Sequence, residues 1–428
     1  MTRAQHSEIG PAQHPCCREA ELGQSRRLTS LVDCATVARR IVLFGASGYT
    51  GQLVAAALVR ARVRPVLAGR SAQNLAALGV TLGHGLDTAV ADVTQPASLL
   101  ELFRPGDILV STVGPFARFG RPVVLAALER GATYLDSSGE PAFIREVFEE
   151  LGGRAKEAAV CLVPGFAYEY VAGNLAAALA LEKAGELARG VHVGYFRTGS
   201  ARGGISVGTR SSAAGAALAP HFAWRDGELV TTTLGDRVRT FSVGDTSRPA
   251  LAIGGSEHLS IPSLYPSIRE VGVYVGGPWP TRVATRIGPV ISRAARLRGF
   301  PEVVRWVGSR PRTDPGPDVE ARARTGSLVI AVACDSDDNP LSTVELTGSN
   351  PYTFTGEVLA WAAMRVASHG VRGDGARGPV EAFGLGPLRD ACRAAGLGDP
   401  LDDNPQNDES KVLSIPAARG RKTKQERS

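Results

Sequence analysis

The stretch Ile41-Val42-Leu43-Phe44-Gly45-Ala46-Ser47-Gly48-Tyr49-Thr50-Gly51 decides the fold. Four apolar residues suited to a buried parallel strand run into a turn with glycines at 45, 48 and 51. Gln52 to Arg62 then continues as a helix-forming, mostly apolar run, and Pro65 to Ala68 supplies a second strand. In this order, a strand, a glycine-rich turn and a helix aim backbone N–H groups and a helix N-terminus at a dinucleotide pyrophosphate. Gly45 would make the tight bend, Gly48 would let the backbone approach the phosphates, and Gly51 would let the helix lie close to its strand. Gly45, Ala46, Ser47, Gly48, Tyr49, Thr50 and Gly51 are therefore the expected cofactor-binding turn. The plainer alternative is a strand–helix turn of the same shape that holds no ligand.

The end of the second strand selects the cofactor. NAD-binding units place an acid there, about 20 residues beyond the turn, on the ribose 2′-hydroxyl. Here the position reads Ala68-Gly69-Arg70-Ser71, with no acid. The Arg70 guanidinium suits a phosphate and Ser71 adds a hydroxyl, which favours NADP(H) over NAD(H). A solvated surface arginine is the competing reading of Arg70.

Further strands are expected at Thr88 to Val93, Asp107 to Val113, Thr133 to Asp136 and Ala159 to Val163, with helices near 96–103, 120–130 and 141–158. This alternation predicts an α/β fold, a doubly wound parallel sheet over 40–168. A long Ala/Leu helix is read at Tyr170 to Ala184. After it, strands at Val191 to Arg197, Leu229 to Thr233, Arg239 to Val243, Val271 to Val275, Ser327 to Ala333 and Ser342 to Thr347 indicate a second, α+β domain over 169–350, with an antiparallel sheet. Helices at Tyr352 to Ser368 and Gly384 to Ala395 fall in a third segment, 351–400. Residues 1–39 read as a disordered extension or a mis-assigned start, and 401–428 as a disordered basic tail.

Bulk properties narrow the class. The 428 residues suffice for two cores, and 43% hydrophobic with 21% charged residues is a globular profile. A net charge of +6 gives no ground for a nucleic-acid partner. Cysteines 16, 17, 34, 161, 334 and 392 form no Cys-x-x-Cys pair. Neither a metal site nor a disulfide framework is expected, and a reducing, cytoplasmic setting fits. The sequence shows neither an apolar run near the ~18 residues of a membrane span nor a signal-peptide core. Between Thr281 and Arg312 lie eight arginines and one acid, Glu302, with apolar residues interleaved. That stretch reads either as a solvated arginine face or as a basic amphipathic contact with an anionic membrane, at the inner face of the plasma membrane, or with an acyl-carrier partner.

Several blocks in order carry a resemblance. They are GASGYTG (45–51), AGR (68–70), DILVSTVGPFARFGRPVVLAALERGATYLDSSGE (107–140), VPGFAYEYVAGNLA (163–176) and SNPYTFTGEVLAWAA (349–363). The chain resembles the saccharopine dehydrogenase-like reductases, and within them the branch containing the mycobacterial trans-acting enoyl reductases. The resemblance implies a Rossmann domain, a second domain inserted before returning helices, NADP(H) use and, through the branch, work on glycolipid precursors. It leaves a homo-oligomer open.

The 107–140 block also makes sense residue by residue. Thr112, Val113, Gly114, Pro115 and Phe116 end the fourth strand at the carboxyl edge, where open α/β sheets bind ligands. Gly114-Pro115 would give a flat wall against the cofactor, and Phe116 could flank its ring. Asp136-Ser137-Ser138-Gly139-Glu140 ends the next strand and reads equally as site lining or as a cap, with Ser137 or Ser138 capping the helix from Pro141 and Glu140 favouring its dipole.

Chemistry is less legible. No tyrosine has a lysine four residues later, which argues against short-chain dehydrogenase machinery. Reduction of an enoyl thioester needs only a hydride donor, a hydrogen-bond donor for the enolate and a proton source. Tyr168 and Tyr352 are the candidate catalytic hydroxyls, with Tyr195 a weaker third. For each tyrosine a core side chain is the competing reading. The substrate class this suggests is a small molecule or an acyl thioester, lipid- or polyketide-derived and carried by a synthase. A reductase of another carbonyl or imine, and a catalytically silent NADP(H)-binding sensor or membrane scaffold, are the alternatives.

Overall fold

The computed structural model describes residues 39–83, 85–199, 206–244, 246–277 and 316–399. The N-terminal extension up to residue 38, the basic stretch 281–312 and the tail 401–428 lie outside the described residues.

Short, fully buried runs build the first sheet: β1 (Ile41–Phe44), β2 (Val66–Gly69), β4 (Ile108–Ser111), β5 (Thr133–Asp136) and β6 (Cys161–Val163). Strands apolar on both faces need helices on both faces. With β3 (Thr88–Val90) and β15 (Gly375–Ala376) the order is β15-β6-β5-β4-β1-β2-β3, parallel throughout. The order reverses between β1 and β4, which opens the crevice where such sheets bind dinucleotides.

One face packs Leu43, Val110 and Leu135 against α1 (Tyr49–Arg60) and a later helix, Pro351–His369, through Val54, Leu58, Val358 and Leu359. The other packs Val42, Phe44, Leu109 and Tyr134 against α4 (Phe116–Arg130) and α5 (Pro141–Glu146) through Val123, Val124 and Phe143. The helix α7 (Tyr168–Ala184) is buried nearly all round, and its core continues into the second sheet through Val191, Val193 and Val329. A helix apolar on every side belongs between two layers.

The second sheet runs β10 (Val238–Val243), β11 (Thr246–Ala252), β12 (Glu270–Gly276), β7 (Gly190–Gly199), β13 (Thr325–Cys334), β14 (Pro340–Gly348) and β16 (Leu397–Gly398). The hairpin β8 (His221–Arg225) and β9 (Glu228–Thr232) joins it through β12. All pairings are antiparallel except β12 with β7, so the sheet is mixed. Residue 194 is glycine for a spatial reason: a Cβ there would come within 2.9 Å of the Phe196 and Phe241 rings that fill this face.

Elements of this region that the sequence reading leaves out include β8, β11, α8 (Val207–Leu218) and α9 (Glu257–Leu264). The run VGTRSSAAGAAL of α8 has no apolar stripe and none of its residues is buried, so no periodicity marks it. Pro249 in β11 and Pro262 in α9 read as breakers.

Candidate cofactor site

The glycine-rich turn has the geometry of a phosphate cradle. Gly45 sits at φ +88°, and a Cβ there would meet Thr112 Oγ1 at 2.7 Å. That hydroxyl donates to the Gly45 carbonyl at 3.1 Å, so β4 holds the turn from beside. A Cβ on Gly51 would overlap the Gly45 carbonyl and lie 2.9 Å from Ala46 Cα, so only glycine lets α1 lie this close to β1. Gly48, the N-cap of α1, is exposed and brings no side chain of its own to the cap, and the first turn of the helix carries no acid. The partial positive charge of this helix N-terminus favours an anion there. Ala46 is buried beneath the turn, while Ser47 and Thr50 are half-buried within it.

Arg70 is exposed just beyond β2, and its charge reaches Asp92 beyond β3. Ser71 Oγ accepts the Asn74 amide at 3.2 Å, so this hydroxyl caps the second helix, Ala72–Leu82. Tyr49 turns outward: its hydroxyl donates to the Pro317 carbonyl and accepts from Arg322 at 2.9 Å.

At the end of β4, Val113 and Gly114 lie along the crevice, and the Gly114–Pro115 peptide is cis. Phe116 corrects one expectation. Its side chain is 4% exposed and packs on Phe143 at 5.6 Å, so it lies under the wall instead of flanking a cofactor ring. The first residue of α4 faces the core on that helix's apolar side. Glu140 also departs from the reading as a dipole-complementing acid of its own helix. Its buried carboxylate accepts the Phe116 and Ala117 amides at 2.7 and 2.9 Å and so caps α4, a different helix. Ser212 of α8 adds a third hydrogen bond, donating at 2.7 Å. Ser138 Oγ accepts the Glu140 amide at 3.1 Å and caps no helix.

Beneath this edge Asp136 is fully buried. Its Oδ1 accepts the Ser138 and Gly165 amides at 2.7 and 2.8 Å and so ties the loops after β5 and β6 together. Burial raises its pKa to about 6 against those two donors. Asp136 Oδ2, Tyr134 Oη and Ser111 Oγ lie near one another without reaching hydrogen-bond geometry.

Residues 41–163 match the model of the saccharopine dehydrogenase NADP binding domain. Residues 41–163 are thus a saccharopine dehydrogenase-like NADP-binding domain. The chain is 32% identical over 152 residues to the saccharopine dehydrogenase-like oxidoreductase of Bos taurus, covering 32% of this chain and 35% of that one. It is 34% identical over 140 residues to a trans-acting enoyl reductase of Mycobacterium ulcerans, covering 32% and 34%. The match thus spans about a third of the length of these relatives. A similar fold over more of the chain is that of homospermidine synthase from Legionella pneumophila in complex with NAD: TM-score 0.55, 12% identity, 84% of this chain and 90% of that one.

In this saccharopine dehydrogenase-like chain the candidate tyrosines separate. Tyr352 begins the Pro351–His369 helix at the crevice, its ring edge-on to Tyr49 at 5.1 Å. Its hydroxyl accepts the Ser206 amide and donates to Thr209 Oγ1, both at 2.9 Å. Tyr168 corrects the sequence reading: it is 3% exposed, packs edge-on against Tyr195 and Phe354, and its hydroxyl lies near Ser327 without reaching hydrogen-bond geometry with any of the described residues. Burial pushes that phenol well above its ordinary pKa. A residue following β6 lies on the right edge, but here the side chain turns inward beneath α7. Tyr195 is also buried and donates to Glu257 Oε1. Burial raises the Glu257 carboxyl to about 8, and its Oε2 is unpartnered.

The structure also brings together three residues that no spacing in the sequence marks. His192, Cys334 and Asp338 place N, S and O ligand atoms within 4.8 Å of one another, in an open cleft of about 660 Å³ at the far end of β7. The place a cation would take is filled by Arg239, which donates to both Asp338 oxygens at 2.9 and 3.1 Å. Burial pushes the Cys334 thiol up to about 12, and the exposed Asp338 carboxylate is already engaged by both His192 and Arg239.

Among the described residues no helix is long and apolar enough to cross a membrane.

Proposed function

We propose that the chain is an NADP(H)-dependent oxidoreductase that reduces an enoyl intermediate, lipid- or polyketide-derived, presented as a thioester by a synthase in glycolipid-type biosynthesis. The observation that carries the cofactor reading is the pairing of the α1 N-terminus, exposed at Gly48 and without an acid in its first turn, with exposed Arg70 at the end of β2. The residues fit a dinucleotide diphosphate with a 2′-phosphate, and such a cofactor would supply the hydride. The turn 45–51 would hold its pyrophosphate, Arg70 its 2′-phosphate, and Thr112 to Pro115 its nicotinamide half. The mycobacterial relatives' name supports the enoyl substrate, and Tyr352 is the candidate hydroxyl that borders the crevice.

A second reading has its own support. Tyr168 is buried and Tyr352 is engaged by α8 at both of its polar contacts, as in a protein that binds NADP(H) without turning it over. Titration with NADPH and NADH, followed by nicotinamide fluorescence in wild type and Arg70→Ala, tests the cofactor. Wild type should prefer NADPH, and Arg70→Ala should lose about tenfold for NADPH alone, as expected of one charge-assisted phosphate contact. Equal binding of both cofactors would remove the 2′-phosphate assignment. NADPH oxidation with a crotonyl thioester then separates reductase from silent binder. Contact of residues 281–312 with an anionic bilayer is a proposal read from sequence alone, and flotation with anionic vesicles tests it.

A further inference from the structure

A single helix of the second half reaches across the crevice of the first. At its N-terminal end, the Ser206 amide and Thr209 hydroxyl of α8 bind Tyr352, whose ring stands on Tyr49 of the glycine-rich turn. One turn further on, Ser212 donates to Glu140 at 2.7 Å, and its Oγ lies 3.6 Å from where a Cβ on Gly114 would be. The two anchors therefore stand on the β1–α1 turn and on the β4–α4 turn, the two sides of the crevice. Although α8 is fixed at both, none of its residues from Val207 to Leu218 is buried. Most of the helix is half-buried, and its C-terminal turn meets the ring of His221 in β8 through the Ala216 carbonyl.

Glu140 also makes the two helix N-termini that face the crevice unlike. The carboxylate accepts from the Phe116 and Ala117 amides at the head of α4, whereas the first turn of α1 carries no acid. An anionic diphosphate is favoured at α1 over the acid-capped α4, which leaves the Gly114–Pro115 wall to the nicotinamide half.

We propose that α8 is the roof of the dinucleotide crevice and that Glu140 and Ser212 are positioning residues: their hydrogen bond holds the roof over the nicotinamide half of the cofactor and sets its residence time. This rests on the reading that the first sheet binds a dinucleotide. Ser212 is half-buried on a helix none of whose residues is fully buried, so Ser212→Ala leaves the fold in place. The experiment is displacement of bound NADPH by excess NADP+ in a stopped-flow instrument, with amide hydrogen exchange over 206–219 and over 45–52. Ser212→Ala should release NADPH about tenfold faster with unchanged association, as for loss of one hydrogen bond to a charged group, and Ser212→Thr should restore the slow rate. NADPH should slow exchange in both segments of wild type, and in 206–219 much less in Ser212→Ala. Wild-type release rates in Ser212→Ala, or no NADPH protection of 206–219 while 45–52 is protected, would overturn the roof alone. Failure of the wild-type protein to bind NADPH or protect 45–52 would overturn the premise and the roof with it.

Discussion

Tyr352 stands edge-on against Tyr49, ring centroids 5.1 Å apart and planes at 87°, so the helix returning from the second half touches the glycine-rich turn itself. The hydroxyls of the two rings point apart, one to α8 and the other to Pro317 and Arg322. The glycine-rich turn is thereby held by segments more than 250 residues downstream.

Removing only the Tyr352 hydroxyl tests whether it does chemistry. Tyr352→Phe keeps the ring contact and deprives the Ser206 amide of its acceptor, which costs about 1 kcal/mol in a thermal or urea melt. If the hydroxyl stabilises an enolate, kcat falls by about a hundredfold while NADPH still binds. Full turnover would eliminate Tyr352. Tyr168→Phe removes a buried hydroxyl that lies outside hydrogen-bond geometry and should leave turnover and stability unchanged, or raise the melting temperature slightly.

Two glycines of the turn should separate binding from folding. A Cβ on Gly51 meets backbone on three sides and forces α1 off β1; Gly51→Ala should cost about 1–3 kcal/mol, the range for overpacking, in chemical denaturation. At Gly48 the nearest atom to a new Cβ is the Gly45 carbonyl oxygen at 3.2 Å, and φ is −73°. Gly48→Ala should therefore fold with near wild-type stability yet bind NADPH at least about tenfold more weakly, because the methyl occupies the phosphate approach. Equal loss of affinity and stability in both variants would contradict the division.

The pH dependence of stability follows from the buried groups. Glu257 titrates at about 8 and Asp136 at about 6 in the fold, both raised chiefly by burial, so each carboxyl favours folding while protonated. Their contribution is lost as pH rises from the ordinary carboxyl range through those values. His192 and His258 are lowered to about 4, mainly by burial, and act oppositely: stability rises as pH climbs from about 4 to 6.5. The two effects offset one another below about pH 6.5, and above it only the Glu257 loss continues. Melting temperatures measured from pH 5 to 9 should fall between about 6.5 and 8 in wild type. Glu257→Gln, which still accepts from Tyr195, should flatten that limb; an unchanged limb would show that Glu257 is not its source.

The first half of the fold was legible because its strands are apolar on both faces and its turn is written in glycine. Ile41–Phe44, Ile108–Ser111 and Thr133–Asp136 fall where continuous apolar runs place them. The site was legible only where backbone makes it. The bend of the glycine-rich turn can be read locally, whereas the union of Glu140 with Ser212, 72 residues later, depends on how a helix without an apolar stripe is carried across the crevice. Phe116 and Tyr168 were misjudged for a related reason. Proximity to the carboxyl edge fixes where a Cα lies, and the packing of α4 and α7 decides which way the ring turns.

The short strands β15 and β16 have a consequence for how this protein is made. Gly375–Ala376 closes the parallel sheet beside β6, and Leu397–Gly398 adds the last strand beside β14 of the other. Both sheets are finished by the same two dozen residues. A nascent chain therefore leaves β6 and β14 without these partners until that late segment is free of the exit tunnel. Chaperone demand should peak then, and a stop codon near residue 370 would damage both halves at once.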